Sequence, residues 1–213
     1  MPRRVSRREI VRRAVVVGAA TTVPLSVLAQ RGRRVEHTYV NLSAEAARAL
    51  EAIVARLIPS DANGPGALEA GAARYIDVAL GDALADFRAT YDAGLKAVDA
   101  HARRVHGKPL AELDHDRQDS VLRDLEENRA TGFTPSAAAF FDVVLGHTLE
   151  GTFSDPHYGG NRDFIGWDLV GYPGLKLAVS ALDQRFDSHP QVTRVSAYDL
   201  PMFEGTGGAS HDD

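Results

Sequence analysis

The sequence predicts an all-α fold: a single bundle of about five helices, followed by an irregular segment rich in Gly, Pro and aromatic residues. Apolar residues recur three and four apart over long stretches. No segment alternates apolar and polar residues at strand length, and neither a strand–helix–strand pattern nor a fixed-period repeat is visible. With 213 residues, 44% of them hydrophobic and 25% charged, the chain can bury one core of ordinary size and needs no second domain.

The first helix opens at Ser43, whose hydroxyl suits an N-cap, and its stripe of Leu50, Ile53, Val54, Leu57 and Ile58 stops before Pro59, which disfavours helical geometry in the preceding residue. Ser60 to Gly66 is a turn cluster in which Asp61 reads as a cap rather than a ligand. A second helix is expected over Ala67 to Leu80, with Ile76 and Leu80 inward. Leu84, Phe87, Tyr91, Leu95, Val98, Ala102 and Val105 then keep helical spacing for roughly six turns, predicting the longest helix, ended by Gly107. Asp114 caps a fourth helix carrying Gln118, Val121, Leu122 and Leu125. Thr134-Pro135 is expected to open the fifth, with Thr at the cap and Pro at the first helical position, ahead of the stripe Phe140, Phe141, Val144, Leu145 and Thr148. His101, His106 and His115 fall on helix faces or ends and read as solvated.

Asp155-Pro156 and Gly159-Gly160-Asn161 are turn chemistry, so the stretch from there to Gly174 reads as non-helical. It is nevertheless rich in Trp167, Leu169, Val170 and Tyr172, and apolar bulk on an irregular backbone has to pack on something. One short helix is expected at Leu175 to Leu182, then an extended polar tail over 183–213 whose last residues are expected to be disordered.

The N-terminus reads as an address. An Arg-rich start, an uncharged apolar run from Ala14 to Leu28 and the small residue Ala29 give the three parts of a cleavable export signal over residues 1–29. Arg7 and Arg8, followed by Glu9, Ile10 and Val11, add the pair of a twin-arginine signal, the route that exports folded proteins. The run falls short of the ~20 apolar residues a membrane span requires. A linker over 30–38 then precedes the helical domain, assigned to 39–182. Of 24 basic and 29 acidic residues, positions 1–29 hold six and one, so a processed chain carries 18 against 28, a formal charge of −10. That acidity argues against nucleic acid as a partner.

The absence of Cys rules out disulfides, thiolate metal sites and covalent c-type haem attachment within this chain. Dinucleotide, phosphate-loop, nucleophile-elbow and H-E-x-x-H signatures are also missing. One constellation could carry chemistry: His147, Glu150, Asp155 and His157, the first two on one helical face and the others on the next loop, as alternative ligands to a metal ion. The preferred reading gives His147, Glu150, Asp155, Gly159, Gly160 and Asn161 a loop-structuring role, with His147 and Glu150 bonding loop amides or Arg162. Tyr158, Arg162, Trp167 and Tyr172 are the candidate partner interface, with burial in the chain's own core or stacking on a sugar as alternatives.

The run H-T-L-E-G-x-F-x-D-P-x-Y-G-G-N-R-D followed by G-W-x-x-x-G-Y-P-G, from His147 to Gly174, resembles the small subunit, subunit 3, of gluconate 2-dehydrogenase. The likeness extends from about Tyr39 to Gly174, including Pro65-Gly66-Ala67 with Glu69-Ala70-Gly71, and Gly94-Leu95 through His106-Gly107-Lys108. It implies a non-catalytic chain beside a flavin-bearing large subunit of the glucose-methanol-choline oxidoreductase type, with FAD in that partner and haem c in a cytochrome c subunit where one is present. It further implies that this chain supplies the twin-arginine signal and assists assembly, in the periplasm, with membrane association only through the complex. Leu110, where relatives often have an aromatic residue, and the tail after Gly174 depart from the family pattern. A free-standing exported metal- or sugar-binding protein is the alternative.

Overall fold

The computed structural model describes residues 38–188 and 191–202; the address at 1–29, most of the linker and residues 203–213 lie outside the described residues. Six α-helices appear among them: α1 (Ala44–Leu57), α2 (Ala72–Ala79), α3 (Arg88–His106), α4 (His115–Glu126), α5 (Ala137–Phe153) and α6 (Ile165–Val170). The described residues contain no strand, only an isolated bridge between Asp61 and Gly64 in the turn after α1. No helix among them is long and apolar enough to cross a membrane.

The local chemistry sets most of the ends. Ser43 caps α1 by accepting from the Ala46 amide, and Asp114 caps α4 by accepting from Arg117. Gly107 ends α3 in the left-handed conformation, φ 78°, its amide donating to the Arg103 carbonyl. Asp61 behaves as a turn cap, accepting from the Asn63 amide at 2.7 Å.

α5 runs through the middle, packing on α2 and α4 and more lightly on α1, α3 and α6. Leu50, Ile53 and Val54 of α1, Ile76 of α2, Tyr91, Leu95 and Val98 of α3, Val121 and Leu125 of α4, and Phe140 and Val144 of α5 form one core. A fully buried side chain of this kind contributes about 1.5–3 kcal/mol through its area alone. α3 and α5 approach closely because Gly94 leaves room for Phe140: a Cβ there would lie 2.1 Å from the Phe140 ring. The described residues from Tyr39 onward form one unit.

Five expectations are corrected. The second helix begins at Ala72, not Ala67, because Gly71 takes φ 82° and Gly66 is pressed against the Ile58 carbonyl, which leaves 67–71 as turns. α5 starts at Ala137 with Ser136 as its N-cap, accepting from Ala139, after a cis Thr134-Pro135 bond, so Thr134 is not the cap. Part of the segment expected to be non-helical is α6. Leu175 to Leu182 is not a helix, since the Ser180 amide and hydroxyl both bond the Asp183 carboxylate and turn the chain locally. His101 is buried, not solvated: its Nε2 lies 2.9 Å from Asp124 and its Nδ1 receives an Arg104 N–H at 2.6 Å. The arginine hydrogen on Nδ1 leaves Nε2 to donate to Asp124, which ties the end of α3 to α4.

A further buried polar group was not foreseen. Asp77 on α2 accepts from three successive amides, Val40, Asn41 and Leu42, at 2.8, 2.9 and 2.8 Å, and so clamps the entry to α1 against α2. An acid in the apolar run Tyr75-Ile76-Asp77-Val78 was the available signal.

Candidate functional site

A helix C-terminus leaves carbonyls without partners, and the end of α5 is buried, so those carbonyls have to be satisfied by the chain that follows. The segment from Ser154 to Trp167 does this. The Ser154 amide bonds the Glu150 carbonyl, the Asn161 amide bonds Gly151 at 2.8 Å, the Trp167 indole N–H bonds Phe153 at 3.0 Å, and the Asn161 side-chain amide bonds Ser154 at 2.8 Å. Asn161, completely buried, also accepts from the Gly166 amide through Oδ1 at 2.8 Å, which fixes the start of α6.

This arrangement explains the glycines of the motif. A Cβ on Gly160 would lie 2.1 Å from the Gly151 carbonyl oxygen, and one on Gly166 would lie 1.7 Å from that of Thr152, so only Gly lets the loop backbone lie on the helix end. Asn161, Asp163 and Phe164 all take positive φ, at 41°, 56° and 60°, the conformation the reversal requires and one that L residues resist. Arg162 holds the other side: its amide donates to Ala70 and its guanidinium to the Glu69 carbonyl at 2.7 Å, joining the loop to the turn before α2.

His147 and Glu150 do not serve this loop. His147 faces Tyr91 of α3, with Nδ1 3.0 Å from the phenol oxygen, the rings stacked at 5.9 Å and Phe87 edge-on at 4.9 Å. Burial lowers the imidazole below its ordinary range, against the pull of Glu150, and burial pushes the Tyr91 phenol well up. Glu150 accepts from Tyr75 of α2 at 3.2 Å. With Asp155 and His157 on the turn beyond, the four alternative ligands are not brought together, and among the described residues no three His, Asp or Glu side chains gather as a metal ion needs.

Nor is Trp167 an exposed anchor. It is 8% exposed, packs edge-on against Tyr172 at 4.9 Å and tilted against Phe164 at 5.1 Å, and spends its indole N–H on α5. The cap leaves no other place for a ring of that size. Tyr158 and Tyr172 remain half exposed, and Arg162 is largely committed to Glu69.

The tail completes the site in a way the sequence reading missed. Residues 193–199 return across the loop as a strap. The Thr193 amide bonds the Pro173 carbonyl at 2.7 Å, and Arg194 pairs with Asp168 through two bonds of 2.8 Å. The Ser196 hydroxyl and Ala197 amide donate to Asp155 at 2.6 and 2.8 Å. Tyr198 stacks on His157 at 3.8 Å with its hydroxyl 2.6 Å from that of Tyr158. Partial burial opposes ionisation of Asp155, but the bonds from Ser196, Ala197 and His157 outweigh it and hold the carboxyl below its ordinary range. Ser196 and Asp199 form a capping box, and the spacing S-x-x-D was the signal that a structured turn lies within the tail. The site is therefore a closed polar cap with a few exposed aromatic edges, built to hold shape at the end of α5.

The sequence model of the family described as gluconate 2-dehydrogenase subunit 3 matches residues 44–174, from the first residue of α1 to the glycine under the strap. No curated protein and no solved structure matches the chain.

Proposed function

The chain belongs to the gluconate 2-dehydrogenase subunit 3 family, and from that premise we propose that it is the non-catalytic small subunit of a periplasmic flavin-dependent dehydrogenase acting on a sugar, polyol or aldonate. Membership makes it a subunit of an oxidoreductase complex; the finer assignment is our reading. In it, Arg7 and Arg8 supply a twin-arginine address for a glucose-methanol-choline-type large subunit, and this chain helps that subunit to assemble. FAD belongs to the large subunit and haem c to a cytochrome c subunit where one is present.

The observation that carries the proposal is the family match across the whole capped end of α5, joined in one chain to an Arg-pair signal. A chain with a folded-export address and no cofactor signature of its own makes sense as the escort of one that has a cofactor. Lys at both Arg7 and Arg8 should hold this chain and its flavoprotein in the cytoplasm, read by fractionation and flavin fluorescence. Periplasmic recovery of flavoprotein beside that double variant would defeat the escort role.

A further inference from the structure

Between Gly174 and Thr193 the chain leaves the helical unit and comes back to nearly the same point. The Thr193 amide bonds the Pro173 carbonyl, and the Gly174 backbone lies so close to Thr193 that a Cβ would meet its carbonyl oxygen at 1.8 Å. Arg194, Ser196 and Tyr198 then fasten the returning segment to Asp168, Asp155 and His157. The excursion is a loop with a fixed base, and its described part carries no helix or strand.

Its composition is unlike that of a solvated loop. Leu177, Val179, Leu182, Phe186 and Val192 are 60% to 109% exposed. None of them belongs to the core or packs against it. The charged side chains on the same loop are spent on each other: Lys176 with Asp183, and Arg185 with Asp187 through bonds of 3.0 Å. Lys176 and the Ser180 bonds hold the Asp183 carboxyl well below its ordinary range. Two bases and two acids leave the loop neutral on a chain that is acidic overall. A neutral surface with several large apolar side chains needs an apolar, uncharged counterpart, and it lacks the excess of Lys and Arg that an anionic lipid surface selects.

We infer that residues 175–188 are a docking arm that inserts Leu182 and Phe186, flanked by Leu177 and Val179, into an apolar groove of the flavin-bearing large subunit. The inference rests on the reading of this chain as a small subunit and locates its binding energy. A subunit needs a contact surface; of the aromatic side chains considered for it Trp167 is buried and Tyr158 and Tyr172 are half exposed, whereas the arm gathers four of the large apolar side chains that stay exposed among the described residues. The arm starts one residue beyond the matched region, so it is the part of the chain free to fit one particular large subunit.

The test uses the full chain co-expressed with its large subunit. Leu182→Ser/Phe186→Ser, and separately Leu177→Ser/Val179→Ser, should each weaken association by about 30-fold or more, the scale of one lost hot-spot residue. The unfolding midpoint of the small subunit alone should stay unchanged, and in the complex backbone hydrogen exchange at 175–188 should slow. If the wild-type chain retains the flavoprotein and both variants retain it equally, the arm is not the contact, while the small-subunit reading stands. If the wild-type chain itself holds no flavoprotein, that reading falls and the inference with it. Variants that lose only self-association, or only binding to phosphatidylcholine vesicles, would assign the arm to a second copy or to lipid and overturn the inference.

Discussion

Asn161 illustrates how one side chain can hold an irregular segment. It is fully buried, accepts φ 41° and divides its amide between the Ser154 carbonyl and the Gly166 N–H. Asn161→Ala would leave both groups unpaired, at about 1–3 kcal/mol each, and add about 1 kcal/mol for the left-handed backbone, so a loss of about 3–7 kcal/mol is expected in denaturant unfolding. Asn161→Asp should not rescue it, because a carboxylate cannot donate to Ser154. Trp167→Ala should likewise cost the isolated chain about 3–5 kcal/mol, the range for emptying a large aromatic site, and a result near zero would return Trp167 to the surface. His147 gives a signed pH dependence. Its folded pKa lies below the ordinary 6.5, so between the two values the unfolded chain binds more protons and stability rises with pH. The contribution is complete above about 6.5 and is lost as pH falls through the lowered folded value. Midpoints measured at about pH 7.5 and about pH 5.5 should therefore separate more for the wild-type chain than for His147→Gln, and equal separations would remove His147 from the account.

At the scale of elements, the crossing of α3 and α5 depends on the space at Gly94. Ala there would place a methyl 2.1 Å from Phe140, in a core where overpacking costs about 1–3 kcal/mol, more than the roughly 1 kcal/mol Ala gains over Gly in a helix interior. Shortening the ring should reverse the order: Gly94→Ala is expected to destabilise the wild-type chain and to be neutral or stabilising in a Phe140→Leu background. Strict additivity of the two substitutions would refute the contact. The strap answers to acid instead. Because the folded Asp155 carboxyl sits below its ordinary 3.8, its share of the strap's stability is fully present above the unfolded value and disappears as pH falls through the lower folded one. Fast hydrogen exchange at 193–199 should appear in that acid window while α1 to α5 stay protected, whereas Asp155→Asn should show it at neutral pH. Protection that persists in Asp155→Asn would mean that Arg194 and Tyr198 suffice.

For the molecule as a whole, what was legible in the sequence was whatever is decided locally. Helical periodicity placed α1, α3 and α4, and Ser43, Gly107 and Asp114 marked their ends, because caps and apolar spacing act within a few residues. Groups decided by distant partners were misread or missed: His101 by Asp124, Asp77 by the Val40 to Leu42 amides, and Trp167 by the end of α5. The loop-forming glycines were read as turn residues, yet only the position of α5 shows why Gly160 and Gly166 admit no Cβ. The same division between local and distant contacts predicts how far the helical unit stands alone. Among the described residues nothing beyond Leu169 belongs to the hydrophobic core or packs against it, and the strap adds polar bonds, exposed between Arg194 and Asp168 and part-buried at Asp155. Exposed pairs of that kind are worth up to about 1 kcal/mol each, and at this chain length a loss of about 1–2 kcal/mol moves the midpoint by roughly 2–8 °C. A chain ending at Gly174 should therefore keep its helical circular dichroism and unfold in one cooperative step within that margin of the full chain. Loss of the cooperative transition would show that the strap is part of the fold and not an addition to it.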